Sequence, residues 1–415
     1  MHNDNKGIFP GWWVVAAAFT ALFVVFGALY CFAAFFRALE SEFAASRADV
    51  SLIFSLAGFL YFAIGAITGS LADRFGTRLV VAAGMVLTAA GLFLASRADT
   101  LVGIYWAYGL GVGLGVGFVY VPAVGAVQRW FERKRGLASG IAVAGIGVGT
   151  LVVPPLASLL IEQAGWRGAY AVLAAAALLI GLGATALLEH SPERRGLQRD
   201  GIAPAGAAAT AAPTGCTLGQ ALRSRPFWLL YGAGLATSFG IFIPFVHLAP
   251  FARDLGLTEQ FGVLLVGLIG VGSVIGRFLL GGSADRIGRR RGLALMIFGL
   301  AAMMLLWLWA SAPLTLVAFA LLFGTFYGGF VALIPALTAD YFGGRSVSSI
   351  IGFLYTSYAF GTLLGPTLAG LAFDLASSYT LPIVAAIVTN LLGLACVLLS
   401  AEPARFRASL EARPA

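Results

Sequence analysis

One arginine stands where arginines are rare. Arg277 lies in the apolar run Leu268-Ile-Gly-Val-Gly-Ser273-Val-Ile-Gly276-Arg277-Phe-Leu-Leu, about two helical turns before the next acid, Asp285. A charge within a bilayer costs roughly 2.5–3.5 kcal/mol on insertion scales, so it must face a cavity or partner, or snorkel to the interface. Ser273 and Gly276 keep the adjoining helix face open, and no acid in the neighbouring apolar runs stands deep enough to neutralise it. An unpaired guanidinium in a cavity is a carboxylate receptor, because its planar fork meets both oxygens at once.

The second ionisable candidate is His247, in Phe239-Gly-Ile-Phe-Ile-Pro244-Phe-Val-His247-Leu-Ala-Pro250. The two prolines free backbone carbonyls and bend the helix. The imidazole either satisfies one of those carbonyls or, with its near-neutral pKa, contacts a ligand or handles a proton. Asp254 is either a proton site or an exposed loop residue. Proton coupling therefore has three candidates: His247, Asp254 and Arg277. Tyr120, Tyr327 and Ser357 offer hydroxyls beside the cation and complete the expected ligand contacts, while most other aromatic residues are read as packing.

Other chemistries lack their residues. There is no His-Glu-x-x-His, no pair of intramembrane aspartates and no Ser-His pair in register, so an enzyme is not expected. Cys31, Cys216 and Cys396 lie far apart without metal-ligand spacing, and neither metal nor cofactor is expected. Gly111-Val-Gly113-Leu-Gly115-Val-Gly117 imitates a nucleotide loop, but it follows no strand and sits in an apolar run, so it reads as a helix-packing face.

The elements that position these residues are membrane helices. Of the 415 residues, 60% are hydrophobic and only 11% charged, against about 25% charged in ordinary soluble domains. Apolar runs at 11–36, 50–72, 79–96, 101–128, 136–160, 168–188, 227–251, 260–284, 292–311, 314–339, 347–373 and 379–400 are long enough to span a ~30 Å hydrocarbon core. Arg37, Arg47, Arg97, Arg167 and Arg253 fall on one side of them; apart from Arg277, the rest of the 26 Lys and Arg fall on the side of the termini. That bias places both termini in the cytoplasm and accounts for the +8 net charge without nucleic acid.

The chain also repeats itself. Gly69-Ser-Leu-Ala-Asp73-Arg74-Phe-Gly76-Thr-Arg78 returns 212 residues later as Gly281-Gly-Ser-Ala-Asp285-Arg286-Ile-Gly288-Arg-Arg290. Gly149-Thr150…Pro154 returns as Gly361-Thr362…Pro366 at the same offset. Duplicated halves are a transporter architecture. The expected organisation is a six-helix bundle over 1–190, a low-complexity linker over 191–225 and a second bundle over 226–415. Asp73, Arg74, Asp285 and Arg286 close a helix and open a glycine turn; they are either topological punctuation or gating pairs that latch the cytoplasmic sides of the halves together when the pore is closed there.

The paired loops and the twelve-span duplication resemble the major facilitator superfamily. Gly11-Trp12-Trp13-Val-Val-Ala-Ala-Ala-Phe19 and Trp130-Phe131-Glu-Arg133-Lys134-Arg135-Gly-Leu-Ala-Ser-Gly140 are similar to bacterial members of its monocarboxylate porter family. The resemblance implies an all-α major facilitator fold and assigns Arg277 the substrate-binding role. It implies symport of a small organic acid such as lactate or pyruvate with a proton, by a monomer embedded in the lipid of a bacterial inner membrane. The alternatives are an organic-anion exchanger of the oxalate/formate type and a drug efflux carrier. Tyr30 and Ser273 stand where animal members carry a lysine and an aspartate, so their proton relay does not transfer.

Overall fold

A computed structural model describes residues 9–132, 134–201, 215–343 and 345–411. Among them, eleven helices are long and apolar enough to cross a membrane. The longest, Gly136–Ala186, contains 51 residues; at about 1.5 Å each it is more than twice a bilayer core. Gly165 breaks it at φ +69°, a left-handed conformation that glycine adopts without a Cβ clash. The spans therefore number twelve.

They are α1 (Gly11–Glu42), α2 (Arg47–Phe75), α3 (Thr77–Ser96), α4 (Leu101–Trp130), α5 (135–164), α6 (166–186), α7 (Arg225–Asp254), α8 (Glu259–Ile287), α9 (Arg289–Trp309), α10 (Pro313–Phe342), α11 (Val347–Ala376) and α12 (Thr380–Leu399). The first helix runs past residue 36, where the apolar run ends, because its charged last turns stay helical. Both loop motifs turn on a glycine with positive φ: +89° at Gly76 and +92° at Gly288. Residues 202–214 of the expected linker and the side chain of Asp285 lie outside the described residues.

Small residues set the packing inside each of the two six-helix bundles. Gly145 and Gly149 of α5 lie on the backbone of α1 at Phe19 and Phe23, and Gly361 and Gly365 of α11 lie on α7 at Ser238 and Phe239. A Cβ at any of the four would overlap its neighbour, which is how helices gain contact where lipid supplies no hydrophobic drive. α1 is interrupted at Cys31, and Tyr108 of α4 donates its hydroxyl to the loosened carbonyls of Ala28 and Leu29, 2.7 and 2.9 Å away. The bundles meet along α5–α8, where Gly147 faces Gly270, and along α2–α11, where Gly58 faces Thr362. One end of the molecule carries the loop motifs, the start of α1 and the end of α12 (the motif face). The other carries the α1–α2, α7–α8 and α11–α12 turns (the opposite face).

Candidate binding cavity

A cavity lies between the bundles, lined by α1, α2, α4 and α5 on one side and α7, α8, α10 and α11 on the other. α3, α6, α9 and α12 contribute nothing to it, and leave large apolar side chains such as Leu179 and Leu399 exposed for lipid. The lining is mostly aromatic, and its one described charge is Arg277. Gly276 lets α8 press onto the backbone of α10 at Thr325, which fixes the arginine's starting point. Its guanidinium makes one long contact, Nη1 to the Val143 carbonyl at 3.4 Å. Its Nε is buried with no hydrogen-bond partner, and no carboxylate pairs with it among the described residues. A buried donor without an acceptor is costly, so this group is poised for an anionic oxygen.

Tyr120 and Tyr327 also line the cavity. Tyr120 meets the Phe26 ring edge-on at 5.6 Å, and the Tyr327 hydroxyl lies 3.4 Å from that of Tyr30. Ser357 does not line it. One residue along a helix turns the side chain by about 100°, so Tyr358 faces the cavity while Ser357 packs against Gly234 and donates to the Leu354 carbonyl at 2.6 Å.

His247 is likewise absent from the cavity lining. It is fully buried toward the opposite face, within a network that joins the bundles. Nε2 lies 2.8 Å from the Pro366 carbonyl and 3.2 Å from Ser51 Oγ. A carbonyl only accepts, so Nε2 carries the proton and Nδ1 accepts from the Tyr379 hydroxyl at 3.0 Å. Tyr379 in turn accepts from Arg47 Nη1 at 2.7 Å. Arg47 grips Asp254 with both Nη atoms, each bond 2.7 Å, and lies 3.7 Å over the Phe373 ring.

Asp254 is therefore neither solvent-free in the cavity nor an idle loop residue; it is one jaw of a cross-bundle ion pair. Arg253 adds a second, to Glu40 at 2.7 Å. Asp374 of α11 accepts the backbone N–H groups of Arg47 and Ala48 at 3.0 and 2.9 Å, capping α2 from the other bundle. In the sequence Arg47 stands only as one loop charge among five. Nothing in its local pattern marks partners more than 200 residues away.

The motif face is built differently. Asp73 pairs with Arg129 of α4 at 2.9 Å, and Arg129 continues to Thr77 Oγ1 and the His190 carbonyl. Arg78 donates to the Leu188 carbonyl past the end of α6, and Arg290 to the carbonyls of Val397 and Leu398 at the end of α12. Arg289 pairs with Asp340 of α10 at 2.8 Å. Arg74 and Arg286 are exposed. Every ion pair described on this face stays within one bundle. Basic groups at helix C-termini are favourable on dipole grounds alone.

Comparison with known proteins agrees with this architecture. The model of the Major Facilitator Superfamily matches residues 18–282 and 233–414. Monocarboxylate transporter 11 of Homo sapiens is 31% identical over 380 residues, covering 89% of this chain and 78% of that one. Monocarboxylate transporter 13 of Bos taurus is 31% identical over 380 residues, covering 91% and 86%. Monocarboxylate transporter 12 of Xenopus laevis is 29% identical over 394 residues, covering 89% and 84%. A solved bacterial homolog of the human lysosomal transporter Spinster, inward-facing and unoccupied, superposes with a TM-score of 0.73 at 16% identity over 99% of both chains. That likeness speaks for the fold alone. With matches that run nearly end to end, the chain belongs to the major facilitator superfamily and, within it, to the monocarboxylate transporter family.

Proposed function

We propose that this protein carries small monocarboxylates of lactate or pyruvate size across the membrane together with a proton. The two bundles rock about a site in which Arg277 holds the carboxylate. The observation that carries this reading is the half-buried guanidinium of Arg277, with its unpartnered Nε, in a cavity whose walls come from both bundles. A single cation suits a single carboxylate, and a bound anion neutralises the charge that must move past the apolar walls. The names of the relatives point to the same substrate class. With the basic side inward, both termini lie in the cytoplasm of a bacterial cell and the network around Arg47 shuts the cavity from outside.

The test is uptake of labelled L-lactate into proteoliposomes, with and without an inward proton gradient, for wild type and Arg277→Gln. Wild-type uptake should rise with the gradient; one pH unit is worth about 1.4 kcal/mol, roughly tenfold accumulation. Losing two charge-assisted hydrogen bonds should cost about 3 kcal/mol, a hundredfold or more in affinity, and bring Arg277→Gln to background. Full uptake by a folded Arg277→Gln protein would overturn the assignment. Uptake only by exchange, from preloaded vesicles, would replace symport with antiport.

A further inference from the structure

The cavity does not use His247, yet this histidine is a fully buried titratable group in the contact between the bundles. It is 0% exposed, and both ring nitrogens are engaged by groups that fix its neutral form. α1 supplies the Phe36 ring at 5.9 Å, with Glu40 further out against Arg47. α2 supplies Arg47 and Ser51; α11 supplies the Pro366 carbonyl and Asp374; α12 supplies Tyr379. On its own helix lies Asp254, and α8 brings Glu259, which faces Arg37 at 3.9 Å.

A second proton on this ring has nowhere favourable to sit. Nδ1–H would confront a tyrosine hydroxyl that already accepts from Arg47 and donates to Nδ1. The new cation would also stand one hydroxyl away from a guanidinium. The nearby carboxylates could offset this, but each is occupied: Asp254 by both Nη atoms of Arg47, Asp374 by two backbone N–H groups, Glu40 by Arg253. Parting the bundles at this face separates His247 from Ser51 and dissolves the Arg47 network, and a water-exposed histidine titrates near 6.5.

We propose that His247 is an acid sensor for the gate on the opposite face. Protonation is excluded while that face is closed and allowed once it opens, so acid there drives the carrier toward the open form. The sign follows from linkage: the form that binds more protons gains population as pH falls. His247 cannot carry the coupled proton through, because the proton must leave before the face closes again. It is a positioning residue that acts through Tyr379 and Arg47.

The experiment is a distance measurement on the full-length chain in detergent. Spin labels at Ser41→Cys and Leu375→Cys, on opposite bundles at this face, would be read by pulsed electron resonance from pH 8 to pH 5, with the native cysteines replaced. In wild type the longer-distance population should grow as pH falls through about 6.5, by no more than tenfold per unit for one proton. His247→Gln, which keeps hydrogen-bonding groups without the titration, should flatten the profile. Tyr379→Phe should weaken the response, because Nδ1 then loses its donor and the closed form tolerates the proton better. A wild-type distribution that does not move with pH overturns the proposal. So does a His247→Gln protein, closed at pH 8, that keeps the wild-type response, since the acid would then act on Asp254, Asp374 or Glu40.

Discussion

The two faces of this transporter differ in whether any ion pair crosses between the bundles. On the opposite face, Arg47–Asp254, Arg253–Glu40 and Arg37–Glu259 run from one bundle to the other, beside Arg167–Glu42 and Arg47–Glu40, which stay within the first. On the motif face, Asp73–Arg129, Arg78–Glu189, Arg289–Asp340 and Arg290–Glu402 each stay inside a single bundle. The difference separates two tasks. Pairs within a bundle keep six helices moving as one body, whereas pairs between bundles define a state and must break for the state to change.

Pinning the closed face should have the largest effect. Ser55 Oγ and Thr367 Oγ1 lie 2.9 Å apart across the α2–α11 contact, close enough for a disulfide between cysteines at these positions. Oxidising a Ser55→Cys/Thr367→Cys protein, free of other cysteines, should abolish lactate uptake, and reductant should restore it. Unimpaired transport by the crosslinked protein would mean that this face need not open. The next effect comes from Arg47→Gln. It removes a bidentate pair and a bond to Tyr379, worth about 1.5–3 kcal/mol to the closed form, or roughly ten- to a hundredfold in the ratio of states. Faster labelling of Ser55→Cys by a polar thiol reagent is the readout. Asp73→Asn should do least. The aspartate is 67% exposed in its pair with Arg129, so less than about 1 kcal/mol is at stake, and Ser55→Cys labelling should stay at the parental rate. A change as large as that of Arg47→Gln would erase the distinction between the faces.

Much of the architecture could be read from residue types because membrane helices announce themselves by length and apolarity. The duplication could be read because Gly76 and Gly288 are needed for the same positive φ. Arg277 was conspicuous for its cost in an apolar run, and the structure sets it in the cavity with Tyr120 and Tyr327. Ser357 missed by one position, since helix rotation decides which of two neighbours faces inward and the run Tyr355-Thr356-Ser357-Tyr358 puts a hydroxyl on every side of the helix. His247 and Asp254 were singled out for their chemistry, but their surroundings depend on Arg47 and Tyr379, brought close only by the meeting of the two bundles. Contacts of that kind have no period and no local spacing. Arg47 looked like any solvated residue at a helix start.

The internal clamps of the motif face also differ in polarity. In the first half the loop supplies the acid, Asp73, and α4 the base, Arg129; in the second half the loop supplies the base, Arg289, and α10 the acid, Asp340. Exchanging partners between the halves would set Asp73 beside Asp340 and Arg129 beside Arg289. Both exchanges bring like charges together, so the two clamps, although they occupy corresponding places in the duplicated halves, are not interchangeable parts.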